Sequence, residues 1–182
     1  MSRSDGSHLV VMGVSGCGKS SVGMDLAARL GLEFVDGDDL HPPGNVRKMR
    51  LGEPLEDADR WPWLDRCGAT LIQAEAGLVL ACSALRRCYR DRLRLTSRRP
   101  NLRFVCLATD PATLRSRMVQ REGHFMPPSL LNSQLAALEP PEHDENALTL
   151  NAARPLTDIV SEIVTALDAG DWHKQRRESG AL

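Results

Sequence analysis

Short apolar runs alternate with amphipathic stretches along most of the chain. The runs at 9–12, 33–35, 78–82, 103–107 and 147–150 are too short for a helix and rich in Val and Leu. Bounded runs of this kind predict strands buried on both faces. Between them, apolar residues recur at helical spacing, as at Val22, Leu26, Ala27 and Leu30. This spacing predicts helices over 19–30, 45–50, 60–75, 85–95, 111–121, 129–138 and 155–167. Strict strand–helix alternation implies parallel strands joined by right-handed crossovers, with ligands at the carboxyl ends of the strands. The expected fold is a three-layer α/β/α domain around a five-stranded parallel sheet, spanning 1–182 as one unit. Two segments interrupt the alternation. One is 41–63, rich in Pro and charge. The other is 122–144, which holds Pro127, Pro128, Pro140 and Pro141. Insertions that carry function sit on such loops, and a lid is expected over about 122–140. The polar ends, 1–7 and 171–182, are expected to be flexible tails.

Composition narrows the partners. The chain has 182 residues, 42% of them apolar but only 4% aromatic, so the expected core is aliphatic. A net charge of -1 gives no global bias toward nucleic acid or a membrane surface. Arginines are concentrated between 86 and 103, where most are expected on a solvated helix face. The five cysteines are odd in number and form no C-x-x-C pair, which points away from disulfides and zinc and toward a reducing cytoplasm. The longest apolar run, 78–85, is far too short to span a bilayer.

Candidate chemistry begins directly after the first predicted strand. Gly13-Val14-Ser15-Gly16-Cys17-Gly18-Lys19-Ser20 fits G-x-x-x-x-G-K-[ST], the phosphate-binding P-loop, between a strand and a helix as the motif requires. Glycines let the backbone wrap a phosphate chain with its N–H groups turned inward, and the helix that follows adds its positive end. Residues 13–20 together with Ser21 are therefore the expected ATP cradle. Lys19 would reach the β- and γ-phosphates, and Ser20 would offer its hydroxyl to Mg²⁺.

A P-loop alone does not separate motor, switch and kinase. The run 78–82 ends in Cys82-Ser83, without the acid that motors place there, and no N-K-x-D guanine reader occurs. Acids instead follow the second strand, in Asp36-Gly37-Asp38-Asp39. Phosphoryl transfer to a hydroxyl needs one carboxylate for the hydrated metal and one for the attacking hydroxyl. Asp36 is assigned to the metal and Asp38 to the hydroxyl, and the reverse assignment is equally compatible with the spacing. Arg117 and Arg121 lie four apart, on one face of a predicted helix. With the Gly123-His124-Phe125 segment after them, they read as a lid that brings guanidiniums to the transferring phosphoryl. The adenine site is expected near 151–155.

These residues resemble the gluconokinase family, small P-loop kinases related to shikimate and nucleoside-monophosphate kinases. The likeness runs from about Val11 to Leu167. Beyond the P-loop it rests on Asp38-Asp39-Leu40-His41-Pro42, Asp59-Arg60-Trp61-Pro62-Trp63-Leu64 and Gly123-His124-Phe125. The resemblance implies ATP-dependent phosphorylation of D-gluconate at its 6-hydroxyl, a P-loop kinase fold with a substrate-binding insertion and lid, and a homodimer. Cys17 departs from the serine usual there, a position that contributes mainly its backbone N–H. A carboxylate with a row of hydroxyls needs a cation and several polar partners. Arg60 is the choice for the carboxylate, unless it pairs with Asp57 or Asp59. Lys48 is a further cation of this segment. His41, Arg86, His124 and Gln134 are candidates for hydroxyl contacts, with packing the alternative for both histidines. Two other functions remain open: a small-molecule kinase acting on shikimate or a nucleotide, and a nucleotide-binding regulatory module without phosphotransfer.

Overall fold

The structure is a computed structural model and describes residues 7–119, 129–170 and 172. Its strands are β1 (His8–Met12), β2 (Glu33–Asp36), β3 (Leu78–Ala81), β4 (Arg103–Ala108) and β5 (Ala147–Asn151). They form one sheet in the order β2-β3-β1-β4-β5, with every pairing parallel. The expected five-stranded parallel sheet is therefore present. The connection leaving β1 runs toward the β2 edge and that leaving β4 toward the β5 edge. Ligand sites in open α/β sheets form at such a point of divergence.

The three layers follow from strand periodicity. Alternate residues point to opposite faces, and β1 is apolar on both. Leu9 and Val11 join Val79, Val105, Leu107, Leu148 and Leu150 in a core beneath α1 (Lys19–Leu30) and, in chain order the last helix, α7 (Leu156–Asp168). Val10 and Met12 join Leu78, Leu80, Phe104 and Cys106 beneath α3 (Asp57–Gln73) and α4 (Arg87–Thr96). The remaining helices are α2 (Pro43–Arg50), α5 (Pro111–Val119) and α6 (Ser129–Ala137), with a 3-10 turn at Gly37–Leu40. No described helix is long and apolar enough to cross a membrane.

Local chemistry accounts for the boundaries that differ from expectation. Helix α3 begins before residue 60 because the Asp59 carboxylate accepts the Glu56 N–H at 2.9 Å, anchoring the first turn. Helix α2 begins at Pro43, whose fixed φ suits a first helical position. Helix α4 begins only at Arg87, because Ala84 has φ 35 and Arg86 is extended, which hold Leu85 outside the helix. The lid range 122–140 overlaps the described residues only from 129, where α6 begins. Of the two expected tails, only Ser7 and Trp172 are described. Ser7 accepts the Leu78 N–H at 3.1 Å. Trp172 is core: it is buried and its indole N–H donates to Asn146 O at 3.1 Å.

Arg90 departs from the solvated-face expectation. It is 0% exposed, and its guanidinium makes a bidentate pair with Glu145 at 2.6 and 2.7 Å. It also donates to the carbonyls of Ala84, Leu85 and Glu139. Burial raises the Glu145 carboxyl, but its hydrogen bonds to Arg90, the Glu142 N–H and Arg94 outweigh this and bring it to about 2. A carboxyl held below its ordinary 4.5 stabilises the fold above that pH, and the contribution is lost as pH falls through the folded value. Urea unfolding over a pH series should therefore show wild-type stability falling between about pH 4.5 and about pH 2. Glu145→Gln, which strands a buried guanidinium, should cost about 3–5 kcal/mol at pH 7 and flatten that acid limb.

Candidate functional site

The chain leaves β1 through a loop that only glycine can make. Gly13 has φ 142, and a Cβ there would lie 2.7 Å from both Leu107 O and Cys17 Sγ. Gly16 and Gly18 are also left-handed, at φ 83 and 97. Gly18 is the N-cap of α1 and has no side chain to cap that helix. The first-turn N–H groups of α1 are thus left for an anion. Val14 and Cys17 are buried beneath the loop, and burial raises the Cys17 thiol. The cysteine side chain is packing, as expected of a position that serves through its backbone. Lys19 Nζ donates back to Val14 O at 3.2 Å.

Asp36, at the carboxyl end of β2, joins three segments. Its Oδ2 accepts the Ser20 hydroxyl at 2.6 Å and its Oδ1 accepts the Asp38 N–H at 3.1 Å. One carboxylate therefore positions both the hydroxyl after the P-loop lysine and the turn that carries the second acid. A magnesium ion takes few protein ligands and fills its octahedron with phosphate oxygens and water. One hydroxyl beside one carboxylate at a phosphate loop is a donor set that fits it.

Asp38 faces a polar pocket with Ser15, Lys19, His41, Arg60 and Gln134, so six residues expected from the sequence to act on phosphate or acceptor converge. Arg60 is available there because its possible partners are engaged elsewhere. Asp59 pairs with Lys48 at 2.8 Å, and Asp57 accepts from Arg86 at 3.1 Å and from Tyr89 Oη at 2.5 Å. Arg60 lies over the Tyr89 ring at 5.4 Å and donates to Leu55 O at 3.2 Å, and its buried Nε has no hydrogen-bond partner among the described residues. Burial and the bond to Asp57 push the Tyr89 phenol up to about 12. Lys48 and Arg86, expected to touch substrate, are not among the pocket-lining residues; each is tied to an aspartate of α3. Gln134 lines the pocket, but its carbonyl accepts the Ser15 N–H at 2.6 Å, a P-loop contact the residue pattern did not suggest.

His41 stacks on Trp63 with centroids 4.2 Å apart and planes 12° apart. Burial, then the neighbouring Arg60, lower it to about 4, so the ring is neutral at physiological pH. Its Nδ1 lies 3.2 Å from the amide nitrogen of Asn45, a contact whose only sequence signal is the four-residue spacing.

A second pocket lies against the N-terminus of α1. Gly16, Gly18 and Ser21 form one side, and Arg117, Ala152 and Leu156 the other, where the adenine site was expected. Arg117 Nη2 donates to Ala152 O at 2.9 Å, which places this cation beside the second pocket. Arg121 and His124 lie outside the described residues.

A parallel sheet with a P-loop at its point of divergence, flanked by an acid-bearing polar pocket, defines a P-loop nucleotide-binding protein. In agreement, a family model described as an AAA domain matches residues 9–141. A gluconokinase of Gluconobacter oxydans is 48% identical over 166 residues, which cover 90% of this chain and 92% of that protein. A crystal structure of a gluconokinase from Sinorhizobium meliloti superposes with TM-score 0.81 at 48% identity, covering 92% of this chain and 94% of that one. One of a sugar kinase from Janibacter gives TM-score 0.84 at 43% identity, covering 90% and 95%. The chain belongs to the gluconokinase family.

Gly13 offers a test of the cradle. Gly13→Ala forces a Cβ against Leu107 O in a left-handed residue, a strain of about 1–3 kcal/mol. Calorimetric titration should show ATP affinity reduced at least about tenfold, the equivalent of 1.4 kcal/mol. Unchanged affinity would mean that the loop does not hold the nucleotide.

Proposed function

We propose that the chain transfers the γ-phosphoryl group of ATP to the 6-hydroxyl of D-gluconate, giving 6-phospho-D-gluconate and ADP. The observation that carries this reading is the convergence of Lys19, Asp38, His41 and Arg60 on one pocket beside the P-loop, in a chain of this family. The α1 pocket takes the nucleotide and the Asp38 pocket takes the acceptor, with Lys19 between them. Arg60 binds the gluconate carboxylate, because its fork matches that anion and its aspartate neighbours are engaged. Asp38 accepts the proton of the attacking hydroxyl and aligns its oxygen with the γ-phosphorus. Lys19 balances charge on the β- and γ-phosphates. Arg117 adds charge from the nucleotide side, and Arg121 completes it from the lid.

Ser20 and Asp36 are the residues that would hold Mg²⁺, which, when bound, neutralises phosphate oxygens. His41 and Gln134 are proposed to meet the gluconate hydroxyls, and His124 to meet them from the lid. Lys48 and Arg86 act at one remove, by occupying Asp59 and Asp57. The five cysteines are free thiols, which supports a reducing, cytoplasmic setting. The homodimer rests on the family resemblance.

A coupled ADP-release assay across gluconate, shikimate, related sugar acids and nucleoside monophosphates tests the assignment. Turnover with gluconate well above the others is expected. A folded, ATP-binding sample without gluconate turnover would refute it. Lys19→Ala should lower kcat by about 10²–10³-fold, the scale of losing one preorganised charge contact. Asp38→Asn should lower kcat by about 10²–10⁴-fold, the scale of a general base, with ATP affinity retained.

A further inference from the structure

The His41 ring is held more tightly than pocket lining alone requires. Trp63, against which it lies flat, is fully buried and donates its indole N–H to Gly37 O at 2.7 Å. The ring plane is therefore set by a residue that is itself fixed. What remains is which ring nitrogen carries the proton. Asn45 answers this through a bond it makes elsewhere. Its Nδ2 donates to the Asp59 backbone carbonyl at 2.8 Å. A carbonyl can only accept, so the amide nitrogen, not its oxygen, sits at that end. The same Nδ2 lies 3.2 Å from His41 Nδ1. With its second N–H directed there, the imidazole must offer a lone pair at Nδ1. In a neutral ring the proton is then on Nε2. Asn45 is 5% exposed, so little water competes for either bond.

Resting on the gluconate reading of this pocket, we propose that Asn45 is a positioning residue: it holds His41 as the Nε2–H tautomer, which donates to a hydroxyl oxygen of the bound polyol acid. The groups facing His41 favour a neutral ring. Lys19 of α1 and Arg60 of α3 share its pocket, and Arg47 and Arg50 of α2 lie on its other side. Asp38 is the acid among these groups. A ring whose lone pair is turned to Asn45 cannot take a proton from the acceptor through Nε2. The arrangement thus divides the work, with His41 as donor and Asp38 as the group that accepts. It selects a substrate that presents a hydroxyl oxygen able to accept.

Imidazole ¹⁵N NMR on the full chain, with His41 assigned by the signal missing in His41→Gln, reads the tautomer directly. Protonated Nε2 with unprotonated Nδ1 is expected, and a proton on Nδ1 overturns the proposal. Asn45→Asp places an acceptor against Nδ1 and draws the proton there. Its kcat/KM for gluconate should fall about tenfold at pH 8, mostly through KM, the scale of one net hydrogen bond. The introduced carboxylate raises the ring above its wild-type value of about 4, so the deficit relative to wild type should shrink as pH falls and the imidazolium regains its Nε2–H. A deficit independent of pH overturns the proposal. If Asn45→Asp does not fold, Asn45→Ala should show both tautomers by NMR, and a single unchanged tautomer would overturn it. His41→Gln, which keeps an amide donor, should retain more kcat/KM than His41→Ala, and equal losses count against a donor role. A protein with the Nε2–H tautomer but no gluconate turnover would overturn the assigned reaction and leave the positioning intact. A gluconate-phosphorylating protein with the Nδ1–H tautomer would overturn this inference alone.

Discussion

One buried guanidinium joins two segments that flank the Asp38 pocket. Arg90 is fully enclosed, and a charge so placed persists only with a paired anion and satisfied donors. Glu145 supplies the anion, and the carbonyls of Ala84, Leu85 and Glu139 take further N–H bonds. These partners belong to two segments. The first, 84–85, leaves β3 beside Ser83, which lines the Asp38 pocket. The second, 139–145, follows α6, whose Leu130, Ser133 and Gln134 line the same pocket. The Glu139 N–H also donates to Leu85 O at 2.9 Å, and its carboxylate accepts the Arg87 N–H at 2.7 Å. The two walls contributed by these segments are therefore joined through the buried Arg90–Glu145 pair, with Arg87 adding exposed ion pairs to Glu142 and Asp144.

The same economy governs the charges around the pocket. Three aspartates of the surrounding segments have defined partners: Asp36 with Ser20 and the Asp38 N–H, Asp57 with Arg86 and Tyr89, Asp59 with Lys48 and the Glu56 N–H. Lys48 raises no charge in the pocket because it holds Asp59 well ionised, and Asp59 in turn starts α3. Arg86 pairs with Asp57 at 3.1 Å. With Asp59 and Asp57 so engaged, Arg60 faces the pocket without a salt bridge among the described residues. A guanidinium in that condition supports the proposal that an incoming carboxylate completes its pairing.

Most of the fold and about half of the site were legible in the chain, and the division has a physical basis. The strands were legible because a parallel sheet buried on both faces needs continuous apolar runs, which β1 and β3 supply. The P-loop was legible because left-handed glycines at 16 and 18 and the close approach at 13 admit no other residue cheaply. Asp36 and Asp38 were legible because they sit at the carboxyl end of a strand next to that loop. Pairings were not legible. The chain offers Arg47, Lys48, Arg60 and Arg86 against Glu53, Glu56, Asp57 and Asp59, and local spacing does not say which meet. Tertiary approach decides it, bringing α4 to α3 so that Arg86 reaches Asp57 over 29 positions of sequence. Arg90 escaped for the same reason. Its neighbours Arg87, Arg92 and Arg94 do reach exposed carboxylates, so the run reads as a solvated face. Only the return of residues 139–145 over α4 turns one of its arginines into core. A proton's place on a ring is further still from the sequence, since it depends on which end of the Asn45 amide meets a backbone carbonyl. The residue types that do chemistry are written locally, whereas their protonation and availability are set by contacts between segments far apart in the chain.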